Sequence, residues 1–191
     1  YQAWLDQVVQ GHNRRNAKQI TIDKAALQPL PMAKATDFTE LVARVSSSST
    51  IDVRRVTYTV PSKLCGEMLR IHLYHDRLEC YLGNQRITVL ERIYPHGKTK
   101  RARSINYRHV IRSLVRKPQA FRYSRIRDEL LPNNQYRDIW QYINANIMGK
   151  SACKLMVGIL YLAAQYDCEE TLADYVLKLI AAERPLYLPD L

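Results

Sequence analysis

Between Arg92 and Arg127 the sequence contains no acidic residue, yet it holds 12 arginines and lysines. Other scarcities are informative too. Six glycines and eight prolines in 191 residues are too few for a collagen-like or low-complexity chain, and a 47% apolar content is that of a packed globular protein. The longest apolar run, Leu155 to Ala164, is half of the ~20 residues a membrane span needs, so no membrane partner is expected. The first 30 residues lack a basic start followed by an apolar run, so no secretory signal is expected. The four cysteines (Cys65, Cys80, Cys153 and Cys168) form no C-x-x-C pair, which predicts a reducing, cytoplasmic setting with the thiols as small core residues. There is no initiator Met, and Tyr1-Gln2-Ala3-Trp4 reads as the middle of a helix, as in a piece of a longer protein.

What is present is a sharp charge asymmetry. Residues 1–91 carry 12 basic and 9 acidic side chains, and residues 128–191 carry 5 basic and 9 acidic, so the middle block accounts for the whole net charge of +11. A single-sign block of that density repels itself, and a polyanion relieves the repulsion. Nucleic acid is the expected partner; a solvated basic linker is the plain alternative.

Hydrophobic periodicity predicts an α+β chain: a short N-terminal helix, a small antiparallel β-barrel, then an α-helical bundle. Trp4, Leu5, Val8 and Val9 predict a helix over 2–10, stopped by Gly11, and a second short helix is expected over 22–28. Residues 1–36 therefore read as helix and connector. From 37 to 94 the period is two. Strands are expected at 41–45, 51–60, 68–74, 78–82 and 85–90, with turns at Ser46–Ser49, His75-Asp76 and Gly83-Asn84. Five short strands suit a barrel filled by Leu69, Ile71, Leu73, Leu78, Leu82, Ile87 and Val89. Residues 95–184 read as basic segment and helical region, with helices over 106–116, 119–130, 134–147 and 151–166. Ser151 is the expected cap of the fourth, and Asp167-x-x-Glu170 a capping box opening a fifth. Residues 185–191, with two prolines, form the expected tail.

On a helix over 106–116, Arg108, Arg112 and Arg116 recur every four residues and line one face, a row suited to bidentate phosphate contacts. Lys98, Lys100, Arg101 and Arg103 lead into it; Lys117, Arg122 and Arg125 follow; His109 could add hydrogen bonds. Such contacts give affinity without base specificity. A solvated amphipathic face would normally mix both signs. Arg54 and Arg55 are the next candidates.

Other motifs carry little. Gly149-Lys150-Ser151 resembles the end of a phosphate loop, but the position five residues earlier is Asn144 and a helix precedes it, so the trio reads as a helix stop and cap. His72 and His75, three apart on a strand, face opposite sides and predict no metal site. No catalytic constellation is recognisable.

The segment Thr50 to Ser62 (T-I-D-V-R-R-V-T-Y-T-V-P-S) resembles the Y-S-V-P segment of IstA-type transposases, the larger proteins of two-gene insertion sequences, related to the phage Mu transposase. Leu73–Glu79 and Tyr81–Gly83 resemble the following barrel strands. Ile105–Ile111, Leu114–Phe121 and Arg127–Leu130 resemble the helical region beyond. The resemblance covers some 150 residues. It implies a non-catalytic, DNA-binding C-terminal part of a transposase. The ribonuclease-H-like catalytic domain, with three acidic ligands for Mg2+, would lie upstream, so this chain itself would need no cofactor. It further implies assembly as a homo-multimer on double-stranded DNA and cooperation with an IstB-type helper ATPase. The rival reading is a protein-interaction module docking another subunit or the helper through the helices of 134–182.

Overall fold

The computed structural model describes residues 1–29, 36–95, 97 and 101–188. Two compact units divide the chain, 1–36 and 37–191.

The first unit holds α1 (Gln2–Arg15) and α2 (Ala17–Ala26). The first helix runs through Gly11, where the sequence suggested a stop. A lone glycine costs an exposed helix only ~1 kcal/mol, and His12, Arg14 and Arg15 sit favourably at the negative end of the helix dipole. Neither helix buries a residue within the described structure.

Seven strands open the second unit: β1 (Thr39–Arg44), β2 (Thr50–Val53), β3 (Val56–Thr59), β4 (Met68–Leu73), β5 (Arg77–Leu82), β6 (Gln85–Glu91) and β7 (Ala102–Ser104). They form two sheets, of order β1-β4-β5-β6 and β2-β3-β7. The expected closed barrel is not seen among the described residues. Nor is the pairing all antiparallel, because β7, arising from the basic segment, runs parallel to β3.

The stretch from Ile51 to Val60, read as one strand, is a tight hairpin. Val53 pairs with Val56, and Arg54 and Arg55 turn the chain with φ of 49° and 69°. Two consecutive positive φ values mark the hairpin turn that favours Asn-Gly. Arginines there give no turn signal in the sequence.

Alternation along β4 buries Leu69, Ile71 and Leu73 and leaves Arg70 and His72 on the outer face. Together with Ile51, Tyr58, Val60, Leu78 and Cys80 they make the core of the β region. The Tyr58 hydroxyl accepts from Ile93 N at 3.1 Å, which satisfies this buried phenol. Val89, expected inside, is 47% exposed. A bulge at Cys80/Tyr81 makes Arg86 the partner of Tyr81 and Thr88 the partner of Cys80, leaving Ile87 as the extra residue. Parity along β6 shifts there, and Val89 lands opposite Glu79 on the outer face. The Glu79 carboxylate accepts from the Tyr81 hydroxyl at 2.7 Å and from Arg77 Nε at 3.0 Å. These hydrogen bonds, Tyr81's first, hold it below the usual carboxylate range.

Five helices follow: α3 (Ile111–Arg116), α4 (Gln119–Tyr123), α5 (Asn134–Asn146), α6 (Gly149–Tyr166) and α7 (Glu169–Ala181). The apolar stripe of α5 (Tyr136, Ile139, Trp140, Ile143) packs with α6, which is buried along most of its length. Leu186 and Leu188 of the C-terminal segment pack on the same core; Leu188 lies where a Cβ at Gly158 would fall, so that glycine makes room for it.

Four helical expectations are corrected. Residues 106–116 are not one helix but a 3-10 turn, Tyr107–His109, followed by α3. Residues 119–130 break after Tyr123 and resume as a 3-10 turn at Asp128–Leu130. Ser151 lies inside α6 rather than capping it, and Asp167 is the left-handed residue ending α6 (φ 53°) rather than part of a capping box. The N-cap of α7 is Cys168. No described helix is long and apolar enough to cross a membrane.

Candidate nucleic-acid interface

Two short pieces of backbone create a concave surface in the 37–191 unit. The serine turn 46–49 closes on itself through Ser49 N to Ser46 O at 3.0 Å, with Ser49 at φ 60°, and Ser46 Oγ accepts from Ser48 N and Thr50 N. Facing it, α3 ends at Arg116 with Lys117 as its C-cap, and Pro118 is the N-cap of α4, so the chain turns after a helix of only six residues. The groove between them has a volume of about 810 Å³.

Its rim carries Arg103 from β7, Arg116 and Lys117 at the end of α3, and Arg125 after α4. Ser47, Ser48, Ser113 and Ser124 add hydroxyls, while the Thr57 hydroxyl donates to Asp52. No carboxylate lines it among the described residues. Arg103 has one neighbour of opposite sign, Glu129 at 2.8 Å, and both are substantially exposed, so water and salt weaken that pair. Arg116, Lys117 and Arg125 are exposed and make no ion pair or side-chain hydrogen bond among the described residues. The floor is apolar: Val110, Leu114, Ala120, Ile126 and Leu130. Tyr123 stands in the groove wall, 81% exposed.

The remaining sequence candidates are placed differently. Arg108 precedes α3, so the expected three-arginine row on one helix reduces to Arg112 and Arg116. Its guanidinium is clamped by Asp167 and by Glu169 at 2.7 Å; these hydrogen bonds, that to Asp167 foremost, raise its pKa further. Glu169 also accepts from the buried Tyr107 hydroxyl, and burial together with that bond raises the phenol's pKa. Asp167, expected as part of a helix cap, together with Glu169 thus ties the Tyr107 turn to the start of α7.

His109 is half-buried, with Nδ1 3.2 Å from Thr59 Oγ1, and burial lowers its pKa, favouring the uncharged ring. Arg122 donates to Asn144 Oδ1 at 2.6 Å and lies over the Trp140 ring, its Nε buried without a partner. Arg112 and Arg101 are exposed but line no part of the groove. Lys98 and Lys100 lie outside the described residues. The structure therefore brings Arg103, Arg116, Lys117 and Arg125 together and holds Arg108, His109 and Arg122 in internal contacts.

The hydroxyls and Tyr123 were not among the sequence candidates. Ser113 sits one turn before Arg116 and so had a helical-spacing signal. The serine turn lies 62 or more residues before α3 and had none.

Among the described residues, no group of three or more His, Cys, Asp or Glu is placed to hold a metal ion.

Residues 30–101 match the family model of the Mu transposase C-terminal domain. Over all 191 residues the chain is 37% identical to a Sinorhizobium fredii protein described as an uncharacterized protein, y4jA/y4nE/y4sE. The chain spans 37% of that relative's length. No solved structure matches. The family match covers β1 to β6 and stops one residue short of β7, so it supports a Mu-like transposase C-terminal region in the sheets and leaves most of the groove to the geometry alone.

Proposed function

We propose that the 37–188 region is a non-catalytic DNA-binding part of a Mu-like transposase, gripping the sugar-phosphate backbone of double-stranded DNA with the rim of this groove. The observation that carries the reading is the convergence of four cations and a set of serine and threonine hydroxyls on one concave surface with no carboxylate lining it among the described residues. Guanidinium and ammonium groups neutralise phosphates, while hydroxyls and exposed backbone N–H groups fix register. Mixed-sign surfaces that merely keep a protein soluble do not segregate in this way. The match of residues 30–101 to a transposase C-terminal domain supplies the biological setting.

The finer reading is that the parent is of the IstA type, with an acidic, Mg2+-using catalytic domain elsewhere in its chain. Assembly as a multimer on transposon DNA, an IstB-type helper and a cytoplasmic location belong to that reading. This chain's part is to hold DNA for that chemistry. Backbone contacts of this kind predict binding to any duplex, with an affinity that falls steeply as salt rises. Titration of the protein against an arbitrary duplex at several salt concentrations tests it, and a salt-independent affinity refutes it.

A further inference from the structure

The rim accounts for phosphates, but the floor does not serve them. Intact duplex presents a convex, charged backbone and keeps its bases stacked inside. Phosphates held on the rim would leave Val110, Leu114, Ile126 and Leu130 lining an empty hollow of about 810 Å³. That hollow lies in the size range of small-molecule and nucleotide pockets. Leu114 and Ile126 are each 9% exposed, so the core reaches the surface just beneath the cations. Tyr123 stands beside them, 81% exposed, with no hydrogen bond or ring partner among the described residues. An apolar floor, an exposed aromatic ring, surrounding hydroxyls and a predominantly cationic rim, with Glu129 beside Arg103, are the complementary parts of one chemical object: a nucleotide whose base has left the stack.

We infer that the groove takes one unstacked nucleobase, seated on the apolar floor against Tyr123, of the strand whose phosphates the rim holds. The inference rests on the proposed DNA-binding role and narrows its substrate to DNA with an unpaired or extruded nucleotide. Extruding a base from a paired duplex costs unstacking and unpairing energy, and least where the base is already unpaired. The preferred ligand is therefore a bulge, flap or strand end over intact duplex. Ser47, Ser48, Ser113 and Ser124 surround the floor with groups that can meet the edge of any base, so the preference is for an exposed base rather than a particular one.

The experiment uses the full chain and three labelled DNAs of one sequence: an intact duplex, a duplex with one bulged nucleotide, and a duplex with a bulged abasic site. Anisotropy titrations at one salt concentration should rank the bulged base tightest, with the other two similar. Tyr123→Leu removes the ring, and Ala120→Trp fills the groove from an exposed position on α4; thermal melts confirm that each is folded. Both should erase the bulge preference, a loss of roughly 5- to 150-fold for the stacked base, and leave intact-duplex binding in place. Equal binding of bulged base and bulged abasic site overturns the inference, as does a preference that survives both variants. Displacement of DNA by an acidic peptide, without any base preference, overturns it in favour of a protein occupant. The underlying DNA-binding reading fails separately: it falls if none of the three DNAs is bound, or if Arg116→Ala with Lys117→Ala leaves all three bound as tightly as before.

Discussion

Replacing Arg116, Lys117 and Arg125 with alanine together removes three of the four cations on the rim of the groove and leaves Arg103, which already has Glu129 as a neighbour. Each phosphate neutralised contributes about −0.9 to the slope of log affinity against log salt. With four contacts the wild-type slope should be about −3.6, so that raising salt from ~50 to ~200 mM weakens binding by roughly 150-fold. The triple variant should show a slope near −0.9 and a loss of only about 3.5-fold over the same range. All three side chains are exposed and without an ion pair among the described residues, so stability should change by no more than ~0.5 kcal/mol for each. Arg108→Ala is the informative comparison. That guanidinium is occupied by Asp167 and Glu169, so its loss should leave the salt slope alone and cost about 1 kcal/mol of stability, modest because the pair is partly exposed. Fluorescence anisotropy at four or more salt concentrations gives the slopes, and urea melts give the stabilities. If Arg108→Ala flattens the slope as much as Arg116→Ala does, the DNA lies along the arginine row suggested by the sequence, and the groove argument is wrong.

Arg54→Asn supplies a residue that the two-residue turn favours at its positive φ, and should raise stability by ~1 kcal/mol; an unchanged or lowered urea midpoint would contradict strain at that position. Ile71→Ala opens a cavity at the centre of the four-stranded sheet, where Ile71 pairs with Leu41 and Cys80, and should cost ~2–5 kcal/mol by chemical denaturation; a loss below ~0.5 kcal/mol would contradict its burial. Glu79 is held below its ordinary pKa of 4.5 in the folded state, so the unfolded chain binds its proton first as pH falls. Its contribution is complete above that pKa and is lost as pH drops through the lower folded value. Glu79→Gln should therefore flatten the loss of stability below about pH 4.5, and an unchanged acid limb would contradict the network with Tyr81 and Arg77.

The sequence by itself determined the class of secondary structure along most of the chain, because local periodicity is a local property. Leu69, Ile71 and Leu73 alternate and are buried alternately; Tyr136, Ile139, Trp140 and Ile143 repeat helically and face one core. It also determined the concentration of cations in 92–127, which composition states directly. Tertiary structure decided what depends on partners distant in the chain. The hairpin at Arg54-Arg55 is imposed by the pairing of Val53 with Val56 and of Ile51 with Tyr58, against the turn preference of arginine. Val89 is outside because the extra residue Ile87 shifts parity along β6, a bulge set by the pairing with β5 that the alternation of β6 alone does not announce. Arg108 and Arg116 look alike in sequence, eight residues apart in the same basic block. One meets two carboxylates from around the start of α7 and is clamped; the other ends a short helix beside the serine turn, where no carboxylate reaches. Composition gave both the same charge, and only the fold, by bringing residues some 60 positions away to one of them, decided which is left for a phosphate.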